Sequence, residues 1–261
     1  MNQEPKKAIL AVSFGTSYHD TRERTIDAIE QDLADAFPGY ALYRAWTSKM
    51  ILAKLKKRDG LHICNVKEAM ERMRKDHITH VIVQPTHVIN GIENDLMIKD
   101  VLSYSDDFQK ISFGRPLLTS QQDNEDTIHA LMEQWRDLEK DEVLVLMGHG
   151  TTHYANAVYA ALDYTLKDLG FDHVFLGTVE AYPSLDTLMK QVKKFRPSKV
   201  HLAPFMIVAG DHACNDMAGD NPDSWRYQFE QAGFHVECHM LGLGEYPGIR
   251  RILIQHAKES C

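Results

Sequence analysis

The chain has 261 residues, 44% hydrophobic and 25% charged, a balance ordinary for a globular protein with a real apolar core. Its net charge of -8, with no basic block, argues against a nucleic-acid partner, which many Lys and Arg contacts would have to hold. No stretch approaches the roughly 18 apolar residues of a membrane helix, so no membrane partner is expected.

The first segment, MNQEPKKAILAVSFG, is a polar lead followed by a short apolar run that stops at a glycine. It reads as a first strand, Lys7 to Phe14, and not as a secretory signal, and a cytoplasmic location is the expectation. The four cysteines, Cys64, Cys214, Cys238 and Cys261, show no CxxC spacing and read as reduced thiols. Gly15-Thr16-Ser17 makes the turn after the strand. Asp20 to Phe37 then places Ile26, Ile29, Leu33 and Ala36 at helical spacing before Pro38-Gly39. A short strand over Ala41 to Trp46 leads to a helix capped by Thr47-Ser48 and stopped by Asp59-Gly60. The first half closes with a helix over Val66 to Lys75, a strand at Thr79 to Gln84, a helix from Ile92 to Leu102 and a strand at Lys110 to Phe113.

After Gly114-Arg115-Pro116 a polar stretch opens a long helix expected over Asp126 to Leu138, and Glu139-Lys140-Asp141 reads as a linker. Strands at Val143 to Met147, His173 to Gly177, Lys199 to Pro204 and His235 to Met240 then alternate with helices at Asn156 to Leu169, Ser184 to Phe195 and Asp223 to Ala232. A last helix runs from Pro247 to Lys258. Strands alternating with helices of this length mark parallel sheets.

The halves align with one another. Phe14-Gly15-Thr16-Ser17 matches His149-Gly150-Thr151-Thr152, and residues 81 to 95 match 200 to 216, with Pro85 on Pro204, Gly91 on Gly210 and Glu93 on His212. The expectation is an α/β protein of two similar lobes, each a parallel sheet flanked by helices, facing a central cleft. The lobes would be 1-140 and 141-261, with the last helix free to pack back on the first.

VLVLMGHGTTHY, Val143 to Tyr154, is a buried strand handing over to a loop and a helix. His149 stands between two glycines where a parallel sheet exposes its ligand crevice. Glu180 follows the next strand and His212 the one after, at intervals of 31 and 32 residues, one strand-plus-helix repeat each. Residues at that spacing return to one sheet edge, and two imidazoles with a carboxylate form a recurring ligand set for a divalent metal with an open position. Each residue alone has a plainer explanation: a packed loop histidine, a carboxylate near a helix N-terminus, a surface His212-Asp211 pair. His87 and Glu93, after the third strand, are candidates for the first lobe's side of a cleft, although for them a structural role is favoured. The chain has no GxSxG, no GxxxxGK[ST] and no dinucleotide fingerprint, which disfavours a serine hydrolase and NAD or ATP binding. A metal-dependent hydrolase and a metal or tetrapyrrole carrier both stay open on these residues.

VSFGTSYHDTRERTIDAIEQDL, MGHGTTHYANAVYAALD, GTVEAYPSLD and PFMIVAGDHACNDMAGD, with RAWTSKMILAKLKKRDG and GLGEYP, resemble the anaerobic cobalt chelatases of the CbiK type, related in fold to ferrochelatase. The resemblance implies insertion of Co2+ into sirohydrochlorin on the way to cobalamin, with no organic cofactor; related enzymes handle iron or nickel. It implies metal ligation by His149, Glu180 and His212, with His149 also the acceptor of a pyrrole proton. Sirohydrochlorin is rich in carboxylates and calls for cationic or N-H donors. Arg44, Lys49 and the amides of Gly15, Thr16 and Ser17 are candidates, with Phe14, His87 and Glu93 as further substrate contacts. A homo-oligomer is also expected.

Overall fold

The computed structural model describes residues 5-261, and the polar lead Met1 to Glu4 lies outside them. The chain divides into two compact units: the first runs to Thr119 and takes back Ile249-Cys261, and the second is Ser120-Gly248.

In the first unit β1 (Lys7–Ser13) is followed by one continuous helical stretch, α1 (His19–Arg22), a π-helical turn at Glu23–Asp27 and α2 (Ala28–Ala36). The Thr25 hydroxyl donates to the Thr21 carbonyl within this turn, a side-chain bond that competes with the backbone ladder. Next come β2 (Ala41–Trp46), α3 (Lys49–Asp59), α4 (Val66–Lys75), β3 (His80–Pro85), α5 (Ile92–Leu102) and β4 (Lys110–Phe113). Ser48 caps α3 by accepting from the Ile51 amide, and Gly60 ends it in the left-handed region at φ 65°. Asn65 and Glu68 form a reciprocal capping box at the start of α4.

The second unit holds α6 (Gln121–Met132), β5 (Glu142–Gly148), α7 (Ala157–Asp168), β6 (Val174–Thr178), α8 (Leu185–Phe195), β7 (Lys199–Pro204), a π-helical turn at Ala213–Met217, α9 (Trp225–Gln231) and β8 (Val236–Cys238). α10 (Pro247–Glu259) then carries the chain back to the first unit. There Arg250 Nε donates to Asp32 and Arg115 pairs with Glu259, while Ile249, Leu253 and Ala257 are buried.

Each unit has one all-parallel four-stranded sheet, in the orders β2-β1-β3-β4 and β6-β5-β7-β8. The identical order is the structural counterpart of the aligned halves. In both sheets the chain moves to one side of the first strand and then to the other. A crevice therefore opens beyond the carboxyl ends of β1 and β3, and of β5 and β7. The strands are buried on both faces, as in parallel sheets covered by helices. On one face of the second sheet Val143, Val145, Met147, Val200 and Leu202 pack with Leu188, Val192, Trp225 and Phe229. The matching face of the first sheet packs Ala8, Leu10, Val12, Val81 and Val83 with Met70, Met73, Met97 and Val101.

Three expectations change. The helix read as Asp126 to Leu138 is Gln121–Met132, because Ser120 and Asp123 form a capping box that starts it early. Beyond Met132, single-turn bonds such as Trp135 N to Met132 O replace the helix. The unit boundary falls before this helix and not at residue 140, since α6 packs on α7 and Trp135 lies edge-on to His201 and His239. The last strand also shortens to three residues, the number that find partners on β7.

Candidate metal centre

β5 delivers His149 past Gly148 into a loop whose shape depends on small residues. A Cβ on Gly148 would lie 2.7 Å from the Tyr159 ring. Gly150 has φ +87°, and a Cβ there would lie 2.9 Å from the Ala181 nitrogen and the Thr178 Cβ. Only glycine meets both demands.

Two backbone bonds extend the ladder into the loops: the Val179 amide donates to the Gly148 carbonyl at 3.0 Å and the Glu180 amide to the His149 carbonyl at 2.9 Å. Glu180 is thereby fixed beside His149. Asn156 ties the same two loops, accepting from the Thr151 amide at 3.1 Å and donating to the Tyr182 carbonyl at 2.7 Å. His212 arrives from the far end of β7, after the loop 205–210. It lies on a short helical turn, directly before the π segment.

The structure brings these three residues together. His149 Nδ1 is 3.7 Å from Glu180 Oε2, the His149 and His212 rings meet edge to face with centroids 4.6 Å apart, and one ligand atom from each residue lies within 4.8 Å of the others. All three side chains are partly open to solvent.

The hydrogen bonds assign each imidazole a tautomer. His149 Nδ1 is 2.8 Å from the Gly150 carbonyl and His212 Nδ1 is 2.6 Å from Asp216 Oδ2. A carbonyl can only accept, and so can an ionised carboxylate, so both Nδ1 atoms carry the proton. Each ring is left with an Nε2 lone pair, the arrangement in which a backbone carbonyl or carboxylate orients a metal-ligating histidine. Asp216 and Asn156 were not foreseen. The first had a signal, four residues after His212 in DHACND; the second had none.

The candidates in the first unit are placed differently. Phe14 is exposed after β1, and Gly15 (φ +101°) sits over the Trp46 ring. Thr16 and Ser17 are buried: the Thr16 hydroxyl accepts from the Tyr18 amide and the Ser17 carbonyl from Arg58. Arg44 lies within β2, where Glu30 holds its Nε through both oxygens at 2.8 Å and Asp27 takes Nη2. Its guanidinium is thus engaged inside the protein. His87 is buried too, and neither ring nitrogen has a hydrogen-bond partner among the described residues. Burial holds its pKa down at about 4, and Asn94 nearby offsets this only slightly. Glu93 is half-buried in the first turn of α5, and Lys49 is exposed at the start of α3.

Two parallel four-stranded sheets of identical order, one carrying a His-Glu-His set at its switch point, define the two-lobed α/β chelatase architecture. Solved structures of that class agree. SirB from Bacillus subtilis, with Fe3+, has a TM-score of 0.67 at 15% identity, covering 98% of this chain and 95% of that one. CbiX, described as the terminal enzyme of siroheme biosynthesis in denitrifying bacteria, has a TM-score of 0.60 at 15% identity, covering 98% and 100%. At those identities the likeness speaks for the fold.

The chain belongs to the cobalt chelatase (CbiK) family, whose pattern matches residues 7–261. It is 42% identical over 255 residues to the sirohydrochlorin cobaltochelatase of Salmonella typhimurium, covering 98% of this chain and 96% of that protein. It is 33% identical over 258 residues to sirohydrochlorin cobaltochelatase CbiKC of Nitratidesulfovibrio vulgaris, covering 96% and 89%. No helix among the described residues is long and apolar enough to cross a membrane.

Proposed function

We propose that this chain inserts Co2+ into sirohydrochlorin with release of two protons, with His149, Glu180 and His212 as the residues that hold the incoming metal. The observation that carries the reading is the convergence of these three side chains at one sheet edge, with an Nε2 lone pair on each imidazole, in a member of the cobalt chelatase family.

Insertion replaces the ion's protein and water ligands with four ring nitrogens, and two pyrrole N-H protons must leave for charge to balance. His149 has one lone pair to offer, on Nε2, because Gly150 occupies Nδ1-H. That nitrogen cannot bind Co2+ and accept a proton at once. Its roles are therefore successive: Glu180 and His212 retain the ion while His149 Nε2 takes the two pyrrole protons one after the other, passing each to water through the partly open site. Asp216 keeps His212 facing the ion throughout. The exposed rings of Tyr154 and Tyr182, on the loops that carry His149 and Glu180, offer flat apolar faces to a macrocycle. Phe14, whose ring is exposed, remains a proposed tetrapyrrole contact.

The test is an anaerobic absorbance assay with sirohydrochlorin and Co2+, run beside a no-enzyme control and His149→Ala. Saturable conversion above the control, lost in the variant, supports the reading. A spectral change that stops at one equivalent per chain would point to a carrier and overturn it.

A further inference from the structure

A second His-His-Glu cluster lies in the same unit, at the other end of the strands. His201 is on β7, Glu237 on β8 and His239 just beyond it. His201 Nδ1 is 2.9 Å from His239 Nε2 and 3.9 Å from Glu237 Oε2, and His239 Nε2 is 3.6 Å from Glu237 Oε1. Ligands about 2.05 Å from a tetrahedral ion stand roughly 3.3 Å apart, so this triangle needs shifts of only a few tenths of an ångström to close on one.

The surroundings are built in the same sense. His201 is 7% exposed, and its Nε2 lies 3.1 Å from Glu142 Oε2 on β5. A carboxylate holding the far nitrogen turns Nδ1 toward His239 as a lone pair, the outer-shell device of metal-binding histidines. Trp135 lies edge-on to both rings, at 5.7 and 4.8 Å between centroids, and shields them on one side. Lys199 bridges Glu142 and Glu237 at 3.3 and 3.4 Å and competes for the Glu237 carboxylate.

This cluster is separate from the proposed catalytic one. Met147 is in register with Pro204, so Gly148, just before His149, stands four positions beyond His201, roughly 13 Å along the strands at ~3.3 Å per residue.

We propose that His201, His239 and Glu237 form a second divalent-metal site, which clamps the edge strand β8 to β7 and takes zinc. Two imidazoles and a carboxylate at tetrahedral spacing are a donor set that suits zinc. The proposal does not depend on the chelatase reading.

The experiment uses full-length His149→Ala/His212→Ala protein, which removes the first cluster and keeps the second, and His239→Ala then separates the second from the His62-Cys64-Glu68 group in the other unit. It is dialysed against low-micromolar Zn2+, and bound metal is counted after its fold is checked by circular dichroism. One equivalent is expected, with a raised Tm. Adding His239→Ala, or the milder His239→Asn, should abolish it. Glu142→Gln should weaken binding by about ten- to a hundredfold through the outer shell. Lys199→Gln should strengthen it by about two- to fivefold by freeing Glu237. A folded His149→Ala/His212→Ala protein that takes up no stoichiometric Zn2+ overturns the proposal. So does retention of the full equivalent after His239→Ala, which would put the ion elsewhere.

Discussion

His149 has two ring nitrogens, and the Gly150 carbonyl takes one of them. His212 is in the same position, with Asp216 on its Nδ1. Replacing Asp216 with Ala leaves the ring free to rotate and to shift its proton, and metal affinity measured by competition with a chromophoric chelator should fall by about ten- to a hundredfold with the fold intact. His87 gives a prediction about pH. Unfolded, its imidazole takes up a proton near pH 6.5; buried, only near 4. Between those values the unfolded chain binds more protons, so stability falls as pH drops through the window, by up to about 3 kcal/mol for this group. His87→Phe should flatten that part of the acid limb in denaturant titrations at pH 7 and 4.5; an unchanged slope would show that His87 is not its source.

At the scale of elements, caps and periodicity decided what could be read in the sequence. α4, α5, β4 and β7 lie where the sequence put them, because apolar spacing and end signals agree there. α6 does not: Ile128, Leu131, Trp135 and Leu138 mimic a helical stripe, while the Ser120-Asp123 box sets the true start. Ser120→Ala should therefore cost about 1 kcal/mol, visible as a lower urea midpoint. The convergence of His149, Glu180 and His212 was legible because strand-plus-helix repeats return residues to one sheet edge. Arg44 was not, since Glu30 and Asp27 reach it from a packed helix, and sequence spacing carries no sign of that contact. The burial of His87 was hidden for the same reason.

For the whole molecule, the sheet order is duplicated while the residues at the strand ends are not. The scaffolds are equivalent, and Phe14 stands in the first where His149 stands in the second. The units differ in continuity. The second is one stretch of chain, whereas the first is completed by Ile249-Cys261. Deleting 249 to 261 removes the buried Ile249 and Leu253, each worth about 2–5 kcal/mol by analogy with large-to-small core substitutions, together with the Arg250-Asp32 pair. The soluble yield of the truncated chain should collapse relative to the full chain, with loss of helical circular dichroism in what remains.

That interruption also sets an order on the ribosome. Domains usually fold in the sequence in which they emerge, at ~5–20 residues per second. Here the N-terminal unit has to wait for α10, whereas the second unit, Ser120–Gly248, depends on no later segment. The first-made strands therefore spend roughly 7–26 s without their last packing partner, while about 130 further residues are added. During that interval the nascent chain is most in need of a chaperone.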